Sequence, residues 1–197
     1  CDQGSGSGSP ESNQTSAATP PESNASSVET PPAKTAEVGG IDLDDNETRN
    51  RIIAEAIDYE KLEGRGEEGE ELYYAPNKQT PYSGWMKGMY DNGQVRLLRQ
   101  CKDGKVDGLR MGWYHNGQKE FESQYKDGKF DGLYTSWHGN GQKQIESTWK
   151  DGKFDGLQTR WYSNGQKASE ETYKDGNLVT AVAWKPNGEK CPHTSVV

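Results

Sequence analysis

The chain has 197 residues, of which 29% are hydrophobic, and a formal net charge of −8. That is too little apolar material for a conventional two-layer core, which leaves disorder over part of the chain or a thin, single-layer fold. The charge is uneven: residues 1–40 carry −4, residues 41–80 carry −7 and residues 81–197 carry +3. So small a basic surplus cannot make a phosphate-tracking groove, so nucleic acid is not an expected partner. No apolar run approaches the ~18 residues of a membrane span.

Residues 1–40 hold eight Ser, five Pro, five Gly and four Thr, with no aromatic residue. A segment of this composition cannot bury enough apolar area to offset its ordering entropy, and it is expected to be a disordered spacer. It opens Cys1-Asp-Gln-Gly-Ser-Gly-Ser-Gly-Ser-Pro10. This resembles a mature bacterial lipoprotein, in which a leading Cys is acylated and followed by a flexible tether. The resemblance implies lipid attachment at Cys1 and a place in the cell envelope, facing the extracytoplasmic side. If Cys1 is only the start of a fragment, it implies a cytoplasmic protein instead. Acyl chains add about 0.8 kcal/mol per buried CH₂, so several together anchor stably.

Order is expected from Ile41. Asp44 and Glu47 have capping-box spacing, and Ile52, Ile53, Ala56 and Ile57 give an apolar stripe at helical spacing. The pattern predicts a helix from about Asp45 to Leu62, capping the first edge of a sheet. A charged, Gly-rich link follows to residue 71, and Leu72-Tyr73-Tyr74 reads as the first strand. Residues 192–197 read as a C-terminal tail.

From residue 92 the chain keeps time. Asp-Gly falls at 103–104, 127–128, 151–152 and 175–176, each 24 residues after the last. Asn-Gly falls between, at 92–93, 116–117, 140–141 and 164–165, and again at 187–188, one residue early. Self-similarity at a fixed short period marks a repeat architecture. The stretches between turns are rich in Trp, Tyr, Phe and Thr, which favours strands. Short turns force neighbours to be antiparallel. The expected fold is mainly β: an elongated single-layer antiparallel β-meander of about five 24-residue hairpin repeats over residues 72–191. It is preceded by one capping helix and a disordered N-terminal tail.

Side-chain parity bears on the turns. With His115-Asn116-Gly117 as a three-residue loop and Gly117 in the left-handed region, Leu109, Met111, Trp113, Phe121 and Tyr125 share one face. Phe130, Phe154 and Leu178 then fall on the other, with Tyr134 and Tyr114. The second Asp-Gly of each unit (107–108, 131–132, 155–156) has the look of a bulge able to alter this.

The units Asp127-Gly-Lys-Phe-Asp-Gly-Leu and Trp161-Tyr-Ser-Asn-Gly-Gln-Lys resemble the variant MORN repeats of bacterial YwqK-family antitoxins, over about residues 70–190. The resemblance implies stacked β-hairpins in a curved single sheet and a role in neutralising a partner toxin. The Trp-Tyr and Asn-Gly pattern is also similar, less closely, to choline-binding cell-wall repeats.

The residues suggest binding rather than catalysis. Asp127-Gly-Lys-Phe-Asp131-Gly starts like a calcium loop but has Lys129 at its third position and His138 at its twelfth, so these acids read as turn formers. His115, His138 and His193 have no nucleophile or acid at a catalytic spacing. No metal site, cofactor or catalytic residue is expected. Cys101 occupies the slot of Tyr125, Trp149 and Tyr173, and lies too many strands from Cys191 for a disulfide. The candidate binding face consists of aromatic rows: Trp113, Trp137 and Trp161 in one, Tyr90, Tyr114 and Tyr162 in the next. The expected partner is another envelope protein, with a glycan such as peptidoglycan or a toxin as alternatives.

Overall fold

A computed structural model describes residues 41–67 and 71–192. The expected tether over residues 1–40, Cys1 within it, and His193 lie outside these. The described residues begin with helix α1 (Asn46–Glu55), whose N-cap is Asp45, with Oδ2 accepting from the Thr48 N–H at 2.8 Å. That bond holds the Asp45 carboxyl below its usual range. The cap is thus Asp45, one residue beyond the expected Asp44.

The helix is also shorter than its apolar stripe suggests. Ala56 turns extended (φ −67°, ψ 138°), and Ile57–Asp58 become strand β1, parallel to β4 (Gly84–Met89). Their backbone closes the free edge of β4, a gain that a continued helix would forgo. So β1 covers the edge, and the helix lies on a face of the sheet, not against its edge. Lys87 fixes its C-terminal end by donating from Nζ to the Ile53 carbonyl at 2.8 Å. A 3₁₀ turn (Tyr59–Lys61) leads to β2 (Glu63–Arg65), which pairs with β3 (Leu72–Tyr74) in a separate two-stranded sheet. The strand expected to open the meander therefore belongs elsewhere.

The main sheet has ten strands in the order β1, β4, β5 and onward through β12. Beyond β4 these are β5 (Val95–Lys102), β6 (Lys105–Trp113), β7 (Lys119–Lys126) and β8 (Lys129–Trp137). They continue as β9 (Lys143–Lys150), β10 (Lys153–Trp161), β11 (Lys167–Lys174) and β12 (Asn177–Ala183). From β4 on, each strand is antiparallel to the next, so the expected β-meander is the fold.

Two turn chemistries alternate along it. Asp103, Asp127, Asp151 and Asp175 have φ of 49–50°, and each following Gly is left-handed too. Both central residues at positive φ make a type I′ hairpin, whose twist matches that of the strands. At the Asn-Gly beats the Gly117 N–H donates to the Tyr114 carbonyl, the Tyr114 N–H to the Gln118 carbonyl, and Gly117 has φ 80°. This is the expected three-residue loop.

The faces differ from expectation all the same. Trp113 lies opposite Lys119, but Gly112 lies opposite Phe121, which leaves Glu120 as an extra, bulged residue. Arg96, Gln144 and Ala168 bulge in the same way in their strands. One extra residue inverts parity. Phe121 and Tyr125 therefore leave Trp113 and join Phe130, Tyr134 and Phe154 on the other face. The second Asp-Gly is also a bulge, but there Asp107, Gly108 and Leu109 face Gln100 alone. Two extra residues leave parity intact.

The hydrophobic core sits between α1 and the first strands: Leu43, Ile52 and Ala56 pack with Leu98, Leu109, Met111 and Trp113. On the opposite face, the Arg99 guanidinium lies between the rings of Tyr59 and Tyr73, at 4.8 and 5.1 Å.

Candidate interaction surface

The face beneath α1 carries a row in which Trp and Lys alternate strand by strand: Trp113, Lys119, Trp137, Lys143, Trp161, Lys167, Trp184. The register makes the row, since Trp113 lies opposite Lys119, Trp137 opposite Lys143 and Trp161 opposite Lys167. Each Lys Nζ stands over the Trp ring of the next unit, at 5.3 Å (Lys119 on Trp137), 5.4 Å (Lys143 on Trp161) and 5.5 Å (Lys167 on Trp184). Each also holds the Glu three residues on: Lys119 with Glu122 at 3.0 Å, Lys143 with Glu146 at 2.6 Å, Lys167 with Glu170 at 2.7 Å. The Glu residues form a middle row with Thr135 and Thr159, and Leu109, Leu133 and Leu157 belong to a third.

The candidate aromatic residues thus have different fates. Trp113 is 4% exposed beneath α1, with the Arg49 guanidinium 6.0 Å from its ring. Trp137 and Trp161 are half-buried at the surface. Tyr90, Tyr114 and Tyr162 are latches between units. Their hydroxyls donate to the carbonyls of Trp113, Trp137 and Trp184 at 2.7, 2.8 and 2.9 Å. His138 does the same through Nε2 to the Trp161 carbonyl at 3.0 Å, so that nitrogen carries the hydrogen. Asn116 and Asn140 reach the carbonyls of Gly139 and Ser163. At the other end of the hairpins, Asp107 and Asp131 accept from the backbone N–H groups of Asp127 and Asp151.

The second face carries a ring stack, Tyr125, Phe130, Trp149, Phe154, Tyr173, although unbroken strand parity assigns Tyr125 and Phe130 to different faces. Successive centroids are 4.4, 4.8, 3.8 and 5.0 Å apart. Cys101 fills the first slot of this series, as expected. It is buried, its thiol lies 3.3 Å from the Tyr82 carbonyl, and burial pushes its pKa up to about 11. Cys101 and Cys191 are both free thiols. Among the described residues, no three of His, Cys, Asp or Glu converge as metal ligands. His115 stacks on Tyr90, with centroids 3.6 Å apart. The Lys and Glu rows were missed in the sequence, although Lys119, Lys143 and Lys167 recur at the same 24-residue step as the Trp residues.

One hairpin plus its latches is therefore the repeating unit. Residues 106–127, 130–151 and 154–175 match the MORN repeat variant family. Each MORN-variant match runs from just inside one Asp-Gly turn to the Asp of the next, so the three matches are the hairpins β6–β7, β8–β9 and β10–β11. Repeats of this family are in general scaffolds for interaction with proteins or membranes. No curated protein matches the chain. The matches stop before β12, where the unit changes. Between Leu178 opposite Tyr173 and Thr180 opposite Thr172 only Val179 is extra, so the bulge is one residue shorter than in the earlier units. That shortening explains why the last Asn-Gly arrives one residue early.

Proposed function

We propose that the protein is a non-enzymatic repeat scaffold that binds a partner protein on the Trp face beyond α1. The observation that carries this reading is unequal cover on one periodic surface. Leu109 is 2% exposed beneath the helix, whereas its equivalents Leu133 and Leu157 are 37% and 50% exposed. Large side chains repeated on a rigid platform and left to solvent mark an interaction surface. The polar groups nearest to catalytic chemistry are otherwise engaged: the Cys101 thiol is held protonated by burial, and His138 Nε2 is committed to a backbone carbonyl.

The reading holds whether or not Cys1 carries a lipid. Anchoring there would place the same surface at the cell envelope. An antitoxin role, implied by the resemblance of the repeats, is the same binding with a toxin as partner. A glycan finds less support, because lysines already stand over the faces of Trp137 and Trp161.

Co-purification of the full chain from its native host tests the proposal, comparing the natural protein with a Leu133→Ser/Leu157→Ser variant. The partner should be lost from the variant, with its thermal unfolding checked alongside. A partner retained in full sinks the assignment of this face. Retention on peptidoglycan that Trp137→Ala abolishes would turn the reading towards a glycan.

A further inference from the structure

The Trp face carries a template for its own occupant. Over β4, β5 and β6 it is covered from within the chain by residues 41–56. Leu43, 1% exposed, and Ile52 pack in the cluster that contains Leu109 and Trp113. Just before the helix, Asp44 Oδ1 approaches Lys119 Nζ to 2.6 Å, while the same Nζ keeps Glu122 at 3.0 Å. One lysine of the row thus holds two carboxylates, one from its own strand and one from the element seated above.

The next two units repeat the receiving side of this contact. Leu133 and Leu157 follow Leu109, Trp137 and Trp161 follow Trp113, and Lys143 and Lys167 follow Lys119, each by 24 residues. Lys143 and Lys167 each hold their own-strand Glu, as Lys119 does. The charges agree with the template: the covering segment, residues 41–56, carries five acids and two arginines, net −3, and residues 81–197, which contain the repeats, carry +3.

Resting on the interaction reading above, we infer that the open surface of β8–β11 takes an acidic amphipathic helix of a partner protein, seated as residues 41–56 are seated on the preceding strands. Its aliphatic side chains lie on Leu133, Leu157 and the Trp row. Its carboxylates lie on Lys143 and Lys167. The middle row is more polar here, with Thr135, Thr159, Glu146 and Glu170 where the covered strands have Leu98 and Met111. This makes the contact shallower than that of α1, hence reversible and sensitive to salt.

The test uses the intact protein and, as probe, a synthetic peptide of residues 41–58, followed by calorimetry. Saturable binding is expected, weaker at high salt and weakened by about tenfold or more in a Lys143→Glu/Lys167→Glu variant. A Lys143→Arg/Lys167→Arg variant should restore it, which separates the lost charge from a fold defect. Failure of the peptide to bind at millimolar concentration overturns the inference, as does binding indifferent to the Glu variant. Binding to phosphatidylserine vesicles in place of the peptide, lost in the same variant, overturns it as well. A native partner that is lost with Leu133→Ser/Leu157→Ser yet retained by the Lys143→Glu/Lys167→Glu protein leaves the scaffold standing and removes the acidic helix.

Discussion

Glu122 shows how one position changes character along a periodic surface. It is 8% exposed at the border of the helix-covered region, and burial raises its carboxyl above the usual range against the opposing pull of Lys119. Its equivalents Glu146 and Glu170 have side chains 38% and 34% exposed. A carboxyl whose folded pKa lies above its unfolded one binds its proton more tightly in the folded state. Its contribution to stability is therefore greatest below the unfolded value of 4.5 and declines as pH rises through the raised folded value. Glu122→Gln removes that slope. Urea unfolding of both proteins between about pH 4.5 and 7.5 should show the natural chain gaining on the variant as pH falls. An unchanged difference across the range would mean that Lys119 cancels the burial.

At the scale of the hairpin, what was legible in the sequence and what was not divide along physical lines. The turns were legible because positive φ restricts residue choice: Gly is nearly free there, and Asp and Asn are the next best tolerated. The 24-residue rhythm gave the meander for that reason. The bulges at Arg96, Glu120, Gln144 and Ala168 were not, since four different residue types occupy the site and none is required by the backbone there. Missing that single residue placed Phe121 and Tyr125 on the wrong face and hid the ring stack. The length of α1 was illegible for another reason: Ile57 continues a helical stripe and equally suits a strand, and only the open edge of β4 decides between them. The latches add to hairpins that already share a tight Asp-Gly turn and a strand ladder. Asp131 Oδ2 accepts from the Asp151 N–H at 3.2 Å, tying one Asp-Gly turn to the bulge of the unit before. Asp131→Ala should cost about 1 kcal/mol in urea unfolding, the net worth of one such bond, whereas Asp131→Asn keeps an acceptor and should cost less. Equal losses in the two variants would assign the effect to the carboxylate charge instead of the bond.

For the whole described sheet, the latches and the core act with different reach. Latches recur through the hairpins β6–β7, β8–β9 and β10–β11, but buried apolar side chains concentrate where α1 covers the Trp face: Leu98 on β5 and Leu109, Met111 and Trp113 on β6 are each 4% exposed or less. Neither β11 nor β12 has a buried residue. The last unit also drops latch groups. Val179 stands where the earlier bulges supply Asp131 and Asp155, and Lys185 follows Trp184 where Tyr162 follows Trp161. The last unit therefore lacks both the carboxylate acceptor and the ring donor that join the earlier ones. In an array whose units touch only their neighbours, stability is a sum of local terms, so it need not be uniform from end to end. Hydrogen exchange followed by mass spectrometry should show the slowest amides in β5, β6 and β7 and progressively faster exchange towards β12. Exchange at one common rate across all these strands would mean that the latches couple the array into a single cooperative unit, with the core beneath α1 stabilising the far end as much as the near one.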